Sequence, residues 1–157
     1  MTVNKPLFYR QNQLRIDTSF EIKFSADRVW QLIAGFNSLP DYHPSIDKSE
    51  LLEQGCVRKI RFAKEAGGGY VVERLVFFNN ETFEFSYKII NLIDCDFPLR
   101  NYQAYVWVEG VDDSNCRLHW GSAFNLNGIG DEEGDRIAKS IYQGCFDGII
   151  KALSVSN

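Results

Sequence analysis

Regular alternation of apolar and polar residues begins at Leu14. In LRIDTSFEIKF, Ile16, Phe20, Ile22 and Phe24 fall on one face, with Asp17, Glu21 and Lys23 on the other. That is the period of a half-buried antiparallel strand. The period then changes. Ser25 offers an N-cap, and Ala26 to Phe36 carries Val29, Ile33 and Phe36 on one side, widened by Trp30 and Leu32, which predicts an amphipathic helix. Pro40 and Pro44 prevent a long continuation, leaving a short helix or turn around Ser38 to His43. Strands follow. CVRKIRF (Cys56 to Phe62) and YVVERLVFF (Tyr70 to Phe78) flank AKEAGGG, a hairpin connection in composition. TFEFSYKII (Thr82 to Ile90) places Phe83, Phe85, Tyr87 and Ile89 on its buried side. NYQAYVWVE (Asn101 to Glu109) and CRLHWGSAFNL (Cys116 to Leu126) are joined by the turn-like GVDDSN. From Asp131 to Ser154 the pattern is one terminal helix of roughly 36 Å, with acidic residues in its first turns as the helix dipole prefers.

This order of one strand, a helical corner, a run of antiparallel strands and a long helix predicts an α+β domain. The terminal helix is expected to bury a stripe of Ile137, Ile141, Cys145 and Ala152 against the sheet. Gly144 and Gly148 lie on or beside that stripe, where each costs about 0.5–1 kcal/mol relative to Ala. They either permit close packing of helix on sheet or leave space for something else.

Composition narrows the function classes. A chain of 157 residues fits one domain, 1–157, with its core at about 14–154. The aromatic share of 14%, with twelve Phe, seven Tyr and three Trp, is enough to line a cavity as well as fill a core. Seventeen basic against twenty-one acidic residues, without a basic run, argue against nucleic acid or an anionic membrane as the main partner. No secretory h-region and no membrane-length apolar run is visible, so a cytoplasmic location is expected. Cys56, Cys95, Cys116 and Cys145 are scattered without a C-x-x-C, the pattern of reduced thiols. With two histidines and no ligand spacing, neither a metal site nor a cofactor is expected.

Several strings carry a family resemblance: VWQLIAGFNSLPDYHPSI from Val29, GCVR from Gly55, VVERL from Val71, SYKI from Ser86, PLRNYQA from Pro98, WGSAF from Trp120 and IYQG from Ile141. In order and spacing the chain resembles the START-like, or Bet v 1-like, superfamily, specifically its polyketide cyclase/dehydrase and lipid transport group, from about Ile16 to Leu153. The resemblance implies a helix-grip fold. A seven-stranded antiparallel sheet would curl around the C-terminal helix, two short helices would follow the first strand, and a cavity would lie between sheet and helix. LPDYHP would then stand at the cavity's edge.

Parity and the resemblance together nominate ligand-binding positions: Phe36, Tyr42, His43, Arg58, Ile60, Glu73, Tyr87, Tyr102, Ala104, Trp120, Phe124, Ile141, Tyr142 and Cys145. Glu73 shares parity with Val71 and Leu75, and Arg58 with Ile60 and Phe62. On the concave face they would pair with each other, with water or with ligand, because unpaired buried charge is costly; on the convex face they would be a structural ion pair. His43 either anchors a ligand or satisfies a backbone carbonyl. His119, opposite in parity to Leu118 and Trp120, reads as outward-facing and structurally bland. The AKEAGGG loop sits where plant hormone receptors of this fold carry a gate but lacks their residues, and the Pro98 loop lacks their histidine latch. GIGDEEG is too acidic for a phosphate cradle. No nucleophile–base pair is legible, so any chemistry would be acid/base work by Glu73, His43 or a Tyr. Three readings remain: a binding protein for a small hydrophobic molecule such as a lipid, polyketide or aromatic metabolite; a cyclase/dehydratase-type enzyme; or a protein-interaction module with a vestigial cavity. A homodimer stays open.

Overall fold

Ser25 starts the first helix, because its hydroxyl accepts the Arg28 backbone N–H at 3.3 Å. In the computed structural model, which describes residues 14–155, β1 (Ile16–Ile22) leads through that cap into α1 (Ala26–Ile33) and α2 (Leu39–Tyr42). Then come β2 (Ile46–Leu52), β3 (Val57–Phe62), β4 (Tyr70–Asn79), β5 (Glu84–Ile93), β6 (Leu99–Asp112) and β7 (Asn115–Leu126), followed by α3 (Asp131–Val155). The strands form one seven-stranded antiparallel sheet in the order β1-β7-β6-β5-β4-β3-β2. It curls around α3, with α1 and α2 against one side, in a helix-grip arrangement.

Three local expectations are corrected. Periodicity assigns no strand between His43 and Cys56, yet IDKSELL forms β2. Only Ile46 of its residues is buried, so this polar edge strand has no alternation to read. The first helix stops at Ile33 instead of Phe36. Ala34 bonds back to the Trp30 carbonyl at 2.8 Å, and the Ser38 hydroxyl donates to the Leu32 and Gly35 carbonyls at 2.7 and 2.6 Å, ending the helix. The buried stripe of α3 is Ala138, Tyr142, Cys145, Ile149 and Leu153. Ile137, Ile141 and Ala152 are rotated to its half-buried flank, because choosing the more apolar neighbour at each turn displaces the helical phase.

The core lies in the grip. Ala104, Val106, Leu118 and Trp120 from β6 and β7 meet Tyr142, Cys145 and Ile149, and the Trp120 and Tyr142 rings stack at 6.0 Å. On the convex face His119 points outward, as parity requires, but is only 5% exposed. It stacks on Trp107 at 4.5 Å and its Nε2 lies 3.2 Å from Glu109, so it is a structural side chain rather than a bland one.

The two helix glycines have different reasons to be small. A Cβ on Gly148 would lie 1.4 Å from the carbonyl oxygen of Tyr42, so α2 docks on α3 backbone to backbone. The close approach is to the helical corner, not to the sheet. A Cβ on Gly144 would meet His43 Nε2 at 3.4 Å, an ordinary contact. Gly148→Ala should therefore force the corner off the helix and destabilise the protein by about 3 kcal/mol. Gly144→Ala should be neutral or add up to about 1 kcal/mol through helix propensity. Urea denaturation of both variants checks this; equal effects would contradict it.

Candidate functional site

Arg58 and Glu73 stand directly opposite each other on β3 and β4, so the register alone delivers their side chains to one face. That face is concave. Arg58 is 2% and Glu73 5% exposed. Glu73 Oε2 accepts from Arg58 Nε at 2.8 Å and lies 2.6 Å from Nη2. Arg58 Nη1 donates to the Phe36 carbonyl at 3.1 Å. The Phe36 and Tyr87 rings cover the guanidinium at 4.3 and 4.8 Å from their centroids, a double cation–π contact. Burial is the largest single influence on Arg58 and works against its charge, but the attraction and hydrogen bond of Glu73, together with smaller contributions from Tyr42 and Tyr87, leave the guanidinium's pKa above its ordinary value. Among the described residues no hydrogen bond reaches the other carboxylate oxygen, Glu73 Oε1.

A cavity of about 540 Å³ opens above this pair. Its deep wall is Ile46, Ile60, Val71, Glu73, Tyr87, Tyr102 and Cys145, and Phe62, Ile89 and Phe97 continue it outward. The mouth runs between Pro44, Ala66 and the exposed α3 residues Ser140, Gln143 and Asp147. A second recess shares Phe62, Ala66, Phe97, Ser140 and Ile141 with the cavity and extends over Gly67, Gly68, Asp94 and Arg136 as an outer vestibule. Gly69 holds that rim: at φ +82° it lies so close to the 94–95 turn that a Cβ would sit 2.2 Å from the Asp94 carbonyl oxygen.

The tyrosine hydroxyls form a directed chain. Tyr142 donates to Ser122 Oγ, so Tyr102 is the donor in its 2.7 Å contact with Tyr142. Tyr87 accepts from Trp120 Nε1 at 3.3 Å. Burial pushes the pKa of Tyr87, Tyr102 and Tyr142 up, and does the same to the Cys145 thiol, so all four are neutral. His43 caps α2 with its N–H on the Leu39 carbonyl at 2.8 Å. Its Nδ1 accepts the Ser45 N–H at 3.1 Å, and the ring donates to the Ile141 carbonyl. Both nitrogens are engaged, tying α2 to α3.

Of the nominated residues, the structure brings His43, Ile60, Glu73, Tyr87, Tyr102, Ile141 and Cys145 to the cavity wall. Phe36, Tyr42, Arg58, Ala104, Trp120, Phe124 and Tyr142 lie behind it, packed in the core or around the ion pair. Leu39, Ile46, Val71, Ile89, Phe97 and Gly144 also line the cavity without having been nominated. Val71 and Ile89 carry a signal for this, since they share parity with Glu73 and Tyr87. Phe97, in a loop, carries none.

The profile of a family described as polyketide cyclase/dehydrase and lipid transport matches residues 13–154. Among solved structures, the protein XoxI from Bacillus cereus is similar at 33% identity, over 89% of this chain and 95% of that one, with a TM-score of 0.81. A protein from Bacillus thuringiensis is similar at 34% identity over 88% and 98% of the two chains, again with a TM-score of 0.81. The Zhui aromatase/cyclase from Streptomyces sp. R1128 shares the fold at 14% identity over 88% and 89%, with a TM-score of 0.67. No curated protein matches the chain in sequence.

Two outcomes follow from the buried charges. Arg58→Met should cost about 3–5 kcal/mol by leaving Glu73 unpaired, and adding Glu73→Leu should recover part of that loss. Additive losses in chemical denaturation would contradict a coupled pair. Burial, ahead of the opposing hydrogen bond to Ile141, lowers the His43 pKa below its ordinary 6.5. Below that pH the unfolded chain binds a proton that the native state refuses, so this contribution to stability is full above pH 6.5 and lost as pH falls beneath it. The urea midpoint should drop on acidification from pH 6.5, less steeply in His43→Gln; identical slopes would contradict a neutral, locked imidazole.

Proposed function

The chain belongs to the polyketide cyclase/dehydrase and lipid transport family, and on that premise we propose that it binds a small, largely apolar molecule between the sheet and α3. The observation that carries this reading is the cavity of about 540 Å³, walled by Ile46, Ile60, Phe62, Val71, Ile89 and Phe97. Small-molecule sites typically measure about 300–1,000 Å³, mostly apolar with a few placed polar groups. Glu73, Tyr87 and Tyr102 are those groups at the floor.

A cyclase- or dehydratase-type reaction in the same cavity is the second reading. Its support is Glu73 Oε1, a carboxylate oxygen with no protein partner among the described residues, able to take a proton from a bound substrate. The rest of the floor argues for binding. The thiol and phenols are neutral, and both His43 nitrogens are held by backbone groups.

Titration with the apolar fluorophore N-phenyl-1-naphthylamine tests the first reading. One saturable site per chain is expected. Ile89→Trp, which fills the half-buried wall, should weaken it about tenfold, or 1.4 kcal/mol, at unchanged thermal midpoint. Unsaturable uptake, or an unaffected variant, would contradict a cavity site. Mass spectrometry of a bound compound before and after incubation separates binding from turnover.

A further inference from the structure

The ion pair under the cavity has an unequal exposure that bears on ligand chemistry. Arg58 is the positive charge nearest the floor, yet it does not line the cavity. Its Nε and Nη2 reach Glu73 Oε2, its Nη1 reaches the Phe36 carbonyl, and its two faces are covered by Phe36 and Tyr87. Those contacts use three of its five N–H groups, and at 2% exposure the other two are shielded from a ligand. Glu73 does line the cavity, and its Oε1 accepts nothing from the described protein. The pair thus turns its negative side to the ligand. Neither Lys nor Arg occurs in the cavity wall among the described residues; Arg136 stands only in the outer vestibule, beside Glu133, while a second carboxylate, Asp147, stands at the mouth.

The remaining floor groups are complementary to the same kind of molecule. The Tyr87 hydroxyl accepts from Trp120 Nε1, which leaves its own proton to give. Tyr102 gives its proton to Tyr142, which leaves its lone pairs to accept. The floor therefore offers a charged acceptor, a neutral donor and a neutral acceptor. A carboxylate entering this space would give up its hydration to face Glu73, with no free cation to meet it. A hydroxyl or phenol can donate to Oε1 in a charge-assisted hydrogen bond.

Resting on the reading that the cavity binds an apolar molecule, we propose that its ligand is uncharged and hydroxylated, an alcohol or phenol anchored by donation to Glu73 Oε1, and that the site discriminates against organic acids of the same shape. The pair acts as a selectivity element: Arg58 holds Glu73 in place, and Glu73 both recognises a hydroxyl and repels a carboxylate.

Three probes of nearly one shape test this by displacement of N-phenyl-1-naphthylamine at neutral pH: 2-naphthol, 2-methylnaphthalene and 2-naphthoate. The wild-type protein should bind 2-naphthol about tenfold or more tightly than 2-methylnaphthalene, and 2-naphthoate most weakly. In Glu73→Gln the repelling charge is gone and Arg58 lacks its counter-ion, so 2-naphthoate should gain at least tenfold relative to 2-naphthol. Equal binding of 2-naphthol and 2-methylnaphthalene to wild type would overturn the hydroxyl anchor. So would tighter binding of 2-naphthoate than 2-naphthol. The wild-type series decides these points even if the variant fails to fold. The fluorophore's own binding keeps the two readings apart: if it binds and the series fails, this inference alone falls, and if it does not bind, the binding reading falls and takes this inference with it.

Discussion

A guanidinium and a carboxylate cannot lie under an apolar cavity unless each neutralises the other, and much of this site follows from that constraint. Arg58 and Glu73 pair across two neighbouring strands. The guanidinium's third donor position fixes the turn at Phe36, and its faces fix the Phe36 and Tyr87 rings. One buried pair thereby ties β3, β4, β5 and the link between α1 and α2 into one floor. The pair is weak support for stability as such, since an apolar pair of similar volume can do as well. Its retention in the wall of a cavity is better explained by what the free carboxylate oxygen offers to an occupant.

The aromatic richness of the chain is used less for lining than composition suggests. Trp30 stacks on Phe83 at 5.2 Å and approaches Phe78 and Phe85 at 5.5 and 6.0 Å. Phe85 meets Trp120 edge-on, and Trp120 stacks on Tyr142. These rings fill the grip under α1. The cavity is confined to the other part, beneath α2 and β2 to β6, where the contributing aromatics are Phe62, Tyr87, Phe97, Tyr102 and the His43 ring. The close approach of Gly148 to Tyr42 fixes how far the corner can lift from α3, and so bounds the cavity on that side.

Alternation made most of the sheet legible, because strands with one buried face must repeat every two residues. It also put Arg58 on the face of Ile60 and Phe62 and Glu73 on the face of Val71 and Leu75, but left open whether that face is concave, which only the structure decides. β2 was illegible from the residues because an edge strand with one buried position has no periodic signal; the seven-stranded count came from the family resemblance alone. The phase of α3 was misread for the opposite reason: its buried line includes Tyr142 and its half-buried flank includes Ile137 and Ile141, so hydrophobicity points slightly to the wrong side. Three-dimensional facts had no sequence signature at all. Neither the sandwiching of Arg58 by Phe36 nor the engagement of both His43 nitrogens can be read from spacing, and these decide which polar groups remain free for a ligand.

The central claim is that an apolar molecule sits on the Arg58–Glu73 floor inside the grip. Carbon-13 NMR of the side chains during titration with an apolar ligand measures this directly. The resonances of Glu73 Cδ, Ile60, Val71 and Ile89, which all line the cavity, should shift together and saturate at one equivalent, while Trp107 and His119 on the convex face stay unchanged. Shifts confined to the convex face, or a Glu73 carboxyl indifferent to an occupant that moves its neighbours, would contradict the account.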